Sequence, residues 1–354
     1  MLKEVRKGEG IDPIKIKNFL FENELIEHLN EDIQIKQFSN GYSNLTYLLQ
    51  IADREFVLRR PPSGAIKRGH DMGREYKVLS NLSPHFTKAP KTFAYTEDIE
   101  IIGAPFYLME KVRGVILTNK EVESRNVTSE EFKTISESWL NTFVEFHQLN
   151  PAEVGLSDLG KPDGYISRQV NNWGKQYLRA ATKDIPAAKF VMKWMDANQP
   201  LEYNHSLIHN DFKYDNIVFS EESWENVNAI LDWEMCTLGD PLMDLGTSLG
   251  YWTMASDGPA LAQGLPSPTI HEGNPSRTEL VESYSTKSGL KIDNLVFYYV
   301  YGLFKIAVIA QQIFYRYDKG LTTNEKFATL DQSCEFLCFM AQQAIQKKRI
   351  DNLF

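Results

Sequence analysis

Cysteine is scarce in this chain. Cys236, Cys334 and Cys338 are three thiols in 354 residues, with no Cys-x-x-Cys pair and no histidines at zinc spacing. That pattern excludes a disulfide framework and a zinc module, and it fits a reducing, cytoplasmic setting. Positive charge is also in deficit. A net charge of -9 leaves no broad cationic face to release counterions from phosphates, so nucleic acid is not an expected partner. The opening residues, MLKEVRKGEG, lack the apolar run and cleavage site of an export signal. Internal repeats are missing too.

Long hydrophobic runs are nearly absent. One stretch, residues 295–315 (LVFYYVYGLFKIAVIAQQIFY), approaches the length of a membrane span. It carries Lys305 at its centre, with Gln311 and Gln312 close behind. A central lysine costs about 3 kcal/mol on insertion scales. The stretch therefore reads as a core helix, and no membrane partner is expected.

What is present is a globular composition, with 42% hydrophobic, 24% charged and 12% aromatic residues. The length suits two packed lobes. Residues 33–60 alternate as three short antiparallel strands, IQIKQF, LTYLLQIA and FVLRR, and MGREYKVLSNL after them has helical spacing. KTFAYTED and APFYLMEKV add strand-like runs that end at Arg113-Gly114, where we place the lobe boundary. From Ser129 onward the pattern is mostly helical, interrupted by a strand-and-turn island over residues 207–233. Residues 254–275, rich in Gly, Pro and Ser, read as a functional lid or a disordered insertion.

The island holds the chemistry. LIHNDFKYDNIVF (207–219) and AILDWE (229–234) are each an apolar approach ending in a fixed polar set: His209, Asp211 and Asn216 in the first, Asp232 in the second. Phosphoryl transfer needs a group to orient an acceptor hydroxyl, and oxygen ligands to hold magnesium against the phosphates. Magnesium prefers hard oxygens and keeps several waters, so one amide and one carboxylate suffice. Asp211 is thus the base or orienter of the acceptor, with Asn216 and Asp232 as Mg2+ ligands. His209 belongs to the same catalytic set, as a brace of the loop more than a carrier of protons.

His-x-Asp-x-x-x-x-Asn followed by Asp-Trp-Glu resembles the catalytic and metal-binding loops of the aminoglycoside phosphotransferase and choline kinase-like small-molecule kinases. That resemblance implies an α+β, two-lobed protein-kinase-like fold. An antiparallel sheet lobe would span residues 1–112 and bind nucleotide; a helical lobe, 113–354, would carry the catalytic and acceptor sites. Asn210 in place of arginine, and Trp233-Glu234 in place of Phe-Gly, point away from protein kinases. So does the near-immediate passage from Asp232 to GDPLMDLG, which leaves no room for an activation segment. RQVNNWGKQY (168–177) is similar to a branch whose kinase domains are fused to acyl-CoA dehydrogenases.

The resemblance also assigns the nucleotide site. FSNGYSNL looks like the phosphate loop, with Gly41 for the turn and Ser43 and Asn44 as donors. FVLRR aligns with the lysine-bearing strand. Residues two apart share a strand face, so Val57, over the adenine, puts Arg59 over the phosphates as the stand-in for lysine; Arg60 is the alternative. Glu75 is the ion-pair partner of that cation, and Glu110 to Val112 form the hinge that meets adenine through the backbone. Asp240 and Asp244 of GDPLMDLG read as structural, a helix cap and a brace beneath the catalytic loop. The implied cofactors are ATP, with GTP as the other candidate, and Mg2+. The implied acceptor is a small hydroxylated molecule: a hydroxyacyl compound in the branch just named, with an aminoglycoside, choline-like or sugar acceptor also open. A nucleotide-binding pseudokinase that regulates a partner is the reading from another class.

Overall fold

A computed structural model describes residues 2–38, 44–62 and 71–354. The chain divides into two compact units, Met1–Gly114 with Asn228–Cys236, and Val115–Val227 with Thr237–Phe354. The chain is α+β, with most strands in the first unit and most helices in the second. The segment around Asp232 groups with the first unit, although it lies far along the chain in what the sequence reading assigned to the second lobe.

The first unit runs β1 (Leu2–Lys3), α1 (Pro13–Glu22), β2 (Ile33–Phe38), β3 (Leu45–Ile51), β4 (Arg54–Arg60), α2 (Met72–Leu82), β5 (Thr92–Thr96), α3 (Ile99–Ile102) and β6 (Phe106–Glu110). Its antiparallel sheet has the order β1-β2-β3-β4-β6-β5. In register, Val57 lies opposite Leu48 and Met109, and Arg59 opposite Thr46 and Tyr107. Alternation along β4 sends Phe56 and Leu58 into a core with Phe19 and Leu20 of α1 and with Phe106 and Leu108. Val57 and Arg59 therefore occupy the opposite face. The helix α1, which the sequence reading passed over, buries only Ile16, Phe19 and Leu20 of a polar segment. Asp12 caps it, accepting from the Ile14 and Lys15 amides, and Pro13 occupies its first turn.

The second unit contains α4 (Asn119–Arg125), α5 (Ser129–His147), α6 (Tyr165–Ala180), α7 (Pro186–Ala197), β7 (Ser206–Ile208) and β8 (Ile217–Phe219). A strand β9 (Val227–Ile230) crosses the division, and β10 (Thr237–Gly239), α8 (Pro241–Tyr251), α9 (Pro259–Gly264), α10 (Arg277–Ser288), α11 (Leu295–Asp318) and α12 (Leu330–Lys347) complete the unit. Short β7 pairs antiparallel with β10. The apolar stretch is α11, and it is a core helix, with every residue from Phe297 to Val308 buried. Its crossing with α8 is backbone on backbone: a Cβ on Gly302 would lie 1.9 Å from the Gly246 carbonyl oxygen.

Residues 254–275 are neither a free lid nor an insertion without structure. Turns at Ala255–Asp257 and Pro268–Ile270 flank α9. The buried Asp257 pairs with the buried Arg277, whose guanidinium also donates to the Trp252 and Ile350 carbonyls, each at 3.0 Å. The Trp252 indole donates to Pro275 O at 2.9 Å. Glycine and proline content concealed these tertiary anchors.

Candidate active site

Four of the sequence-predicted residues meet inside the first unit. Arg59 is buried, and its guanidinium contacts the Asp232 carboxylate, faces Glu75 at 3.3 Å and reaches Glu234 at 3.4 Å. The Asn44 amide donates to the same Glu234 oxygen at 2.8 Å. Arg60 lies on the other face of β4, donating to the Ile102 carbonyl at 3.1 Å and to the Tyr47 hydroxyl at 3.4 Å. It takes no part in the acidic group.

The geometry of Asp232 is built locally. Ile230 N donates to Lys88 O at 2.8 Å, the Trp233 indole donates back to Ile230 O at 2.7 Å, and Arg74 of α2 donates to Cys236 O at 2.9 Å. Between these anchors Asp232 takes a left-handed backbone, φ +66°. That conformation costs a non-glycine residue on the order of 1 kcal/mol, least for Asp and Asn. It turns the carboxylate toward Arg59.

Electrostatics follow from burial. Burial opposes the charge of Arg59, but Glu75 and Asp232 outweigh it and hold the guanidinium firmly protonated. Burial pushes Glu75 up to about 7, with Arg59 only partly offsetting the effect. Three carboxylates thus share one guanidinium. Val57 is buried beside this group on β4. At the expected hinge, Glu110 donates its amide to Lys91 O and accepts Lys91 N on its carboxylate, both at 2.8 Å, so this amide is not available to a base. Val112 is half-buried. Gly41 and Ser43 lie outside the described residues.

In the second unit, Asp211, Asn216 and His209 form one loop. The Asn216 amide nitrogen donates to the Asp211 carboxylate at 2.7 Å and to the Asp211 carbonyl at 2.9 Å. This bond fixes the amide's orientation and leaves its oxygen as the atom for a hard cation. Lys213, two residues after Asp211, reaches the same carboxylate at 3.2 Å and sits 4.6 Å from the centre of the Tyr251 ring. The Tyr251 hydroxyl is within hydrogen-bonding reach of Asp211. Burial opposes the Lys213 charge, yet Asp211, Tyr251 and Asp215 together more than compensate and raise its pKa.

His209 is a brace: its Nδ1 accepts the Asp211 N–H at 3.3 Å. Beneath it, buried Asp244 accepts the His209 and Asn210 amides at 2.5 and 2.7 Å and the His147 ring at 3.2 Å. His147 and the backbone donors outweigh burial and hold Asp244 below the usual carboxylate range. Asp240 caps α8 through the Leu242 amide and accepts the Tyr298 hydroxyl, at 2.9 and 3.0 Å.

A family model described as the phosphotransferase enzyme family, APH, matches residues 34–269, a span that takes in both sets of side chains. The chain belongs to this family. As a phosphotransferase-family chain it is 33% identical to acyl-CoA dehydrogenase family member 10 of Mus musculus over 344 residues, covering 97% of this chain and 32% of the relative. It is 35% identical to member 11 of Homo sapiens over 297 residues, 83% of this chain and 37% of the relative. It thus spans about a third of the length of these relatives. Among solved structures, a Ralstonia eutropha protein assigned to the aminoglycoside phosphotransferases superposes with a TM-score of 0.78 at 27% identity, covering 94% of this chain and 99% of that one. Choline kinase from Cryptosporidium parvum shares the fold at a TM-score of 0.61 and 11% identity, covering 97% and 98%.

Sequence reasoning assigned no role to four residues of this chain. Lys213 and Glu234 were within reach of it, because both stand inside the quoted motifs and carry charge beside named residues. Tyr251 and Lys305 gave no such signal, since only the folding of α8 and α11 brings them to the loop.

Proposed function

We propose that the chain is an ATP-dependent kinase that transfers the γ-phosphate to a hydroxyl of a small molecule. The observation that carries this reading is the Asp211 loop: a carboxylate fixed by an amide, with an ammonium beside it, is what an acceptor hydroxyl and a migrating phosphoryl group require. Asp211 would accept the hydroxyl hydrogen bond and take the proton as the oxygen attacks. Lys213 would meet the negative charge of the phosphoryl group. Arg59, tied to Glu75, would bind phosphate oxygens as a planar fork.

The Asp232 carboxylate of the first unit and the Asn216 amide oxygen of the second are each hard oxygen donors of the kind Mg2+ takes. When bound, the ion would supply positive charge against the phosphates. Glu234, next to Asp232 on the same guanidinium, is a further oxygen donor.

For the acceptor, hydroxyacyl compounds come first in this reading, ahead of aminoglycosides, choline and sugars, on the strength of the RQVNNWGKQY resemblance. Three buried cysteines, none in a disulfide, suit a reducing cytoplasmic setting.

The test is ADP release from Mg-ATP across a panel of hydroxylated compounds. Asp211→Ala should bind nucleotide as the wild type does and lose about a hundredfold or more in turnover. Asp232→Ala should lose magnesium-dependent nucleotide binding by calorimetry. Turnover unchanged in the first variant, or full affinity in the second, would remove these residues from the mechanism.

A further inference from the structure

We propose that Lys305 is a positioning residue for the reaction: its ammonium, from the middle of α11, pins the peptide bond that aims the Asp211 carboxylate. The proposal rests on the reading of Asp211 given above.

Lys305 is buried and donates to the Asn210 carbonyl at 2.7 Å and to the Asn210 side-chain oxygen at 3.2 Å. That carbonyl belongs to the peptide joining Asn210 to Asp211. The other end of the same peptide, the Asp211 N–H, donates to His209 Nδ1. Both polar atoms of one peptide plane are therefore fixed, and the plane sets the direction in which the Asp211 side chain leaves the backbone. Asn210 itself is left-handed, φ +69°. It is held further by its own N–H on Asp244 at 2.7 Å and by the Tyr165 hydroxyl on its side-chain oxygen at 3.3 Å.

An ammonium in such a core is costly, and evolution of a merely space-filling helix would favour an apolar side chain. Burial lowers the Lys305 pKa to about 8, with Asp244 and Asp211 offsetting part of the effect. The groups that face the amine are Trp173 of α6, 5.9 Å from ring centre to Nζ, together with Asp244 of α8 and Asp211 and Lys213 of the loop. Trp173 lies in the Arg168–Tyr177 motif that the phosphoryl-transfer chemistry did not absorb. Its ring packs against the lysine that holds the loop, which gives the motif a place behind the reacting groups.

The experiment compares wild type, Lys305→Met and Asn210→Gly in full-length protein. Met keeps the length and apolar stem but cannot donate. It should raise amide exchange over residues 207–213 by about tenfold. It should also lower Mg-ATP-dependent ADP release by about 30- to 100-fold, with KM for ATP within twofold, as expected for a misaimed carboxylate. Asn210→Gly keeps the carbonyl acceptor and tolerates the left-handed turn, so it should fold and lose only about three- to tenfold in rate.

A Lys305→Met protein with wild-type exchange and a rate within twofold overturns the proposal. So does a parallel collapse of rate, ATP affinity and melting temperature in that variant while Asn210→Gly stays at the wild-type rate. If the wild type itself turns over no compound of the panel, the kinase reading fails, and the exchange measurement still decides whether Lys305 holds the loop.

Discussion

The crossing of α8 and α11 offers a perturbation whose size can be worked from distances. A Cβ added at Gly302 would sit 1.9 Å from Gly246 O, 2.6 Å from Gly246 C and 3.0 Å from the Thr247 Cα. An ordinary carbon–oxygen contact is about 3.3 Å, so Gly302→Ala must drive the helices apart by roughly 1.4 Å. The obstructing atoms are backbone, and no rotamer change relieves the clash. Overpacking of a tight core costs about 1–3 kcal/mol and sometimes more, while alanine returns about 1 kcal/mol of helix propensity. Because the clash is backbone on backbone between rigid helices, the overpacking cost should exceed that range, at about 3–5 kcal/mol, for a net loss of about 2–4 kcal/mol.

For cooperative units of 150–250 residues each kcal/mol moves the melting point by roughly 2–4 °C, which predicts a fall of about 5–15 °C by scanning calorimetry. The matched control is Gly174→Ala in α6, where the added Cβ meets only Met192 Sδ at 3.7 Å. That change should leave the melting point level or raise it slightly, by up to about 1 kcal/mol of propensity. Gly302→Ala melting within 2 °C of the wild type, or the two alanines behaving alike, would refute the argument that close backbone approach fixes this crossing.

Two further outcomes follow from the buried carboxylates. Glu75 titrates at about 7 in the folded chain against 4.5 in the unfolded one. The folded state therefore holds a proton across that window that the unfolded chain has lost, and stability should fall as pH rises from 4.5 through 7, by up to the order of 3 kcal/mol. Glu75→Gln should flatten this slope; urea midpoints of the two proteins that run parallel between pH 5 and 7.5 would contradict it. Asp244 has the opposite sign: its pKa is depressed, so its contribution is present above 3.8 and lost as pH falls. Asp244→Asn leaves one oxygen for two backbone donors and should cost about 1.5–3 kcal/mol at pH 7, with faster amide exchange at residues 209 and 210.

Much of the chemistry was legible because it is contiguous. His209, Asp211 and Asn216 lie within one short string, and the spacing that makes them a motif also makes them a loop. Arg59 was preferred to Arg60 by strand alternation once the resemblance had aligned Val57, and the sheet puts the two arginines on opposite faces. Residues whose partners lie far off in sequence were not legible. Lys305 read as an obstacle to membrane insertion, whereas its positive role depends on a carbonyl 95 positions earlier. The Asn44 amide read as a phosphate donor, but the fold engages it with Glu234. Residues 254–275 read as loose because composition reports turns and cannot report a buried guanidinium in the next helix.

The charge count around Arg59 bears on what the first unit is built to hold. Among the described residues, Glu75, Asp232 and Glu234 face one guanidinium, and burial, more than the neighbouring carboxylates, pushes Glu75 up to about 7. Asp232 also accepts a left-handed backbone to keep its carboxylate where it is. Backbone strain at Asp232 and the carboxylates beside it accord with the cation-binding role proposed for this residue. Under the proposed function, a magnesium-bearing nucleotide would bring positive charge to these carboxylates and phosphate oxygens to Arg59.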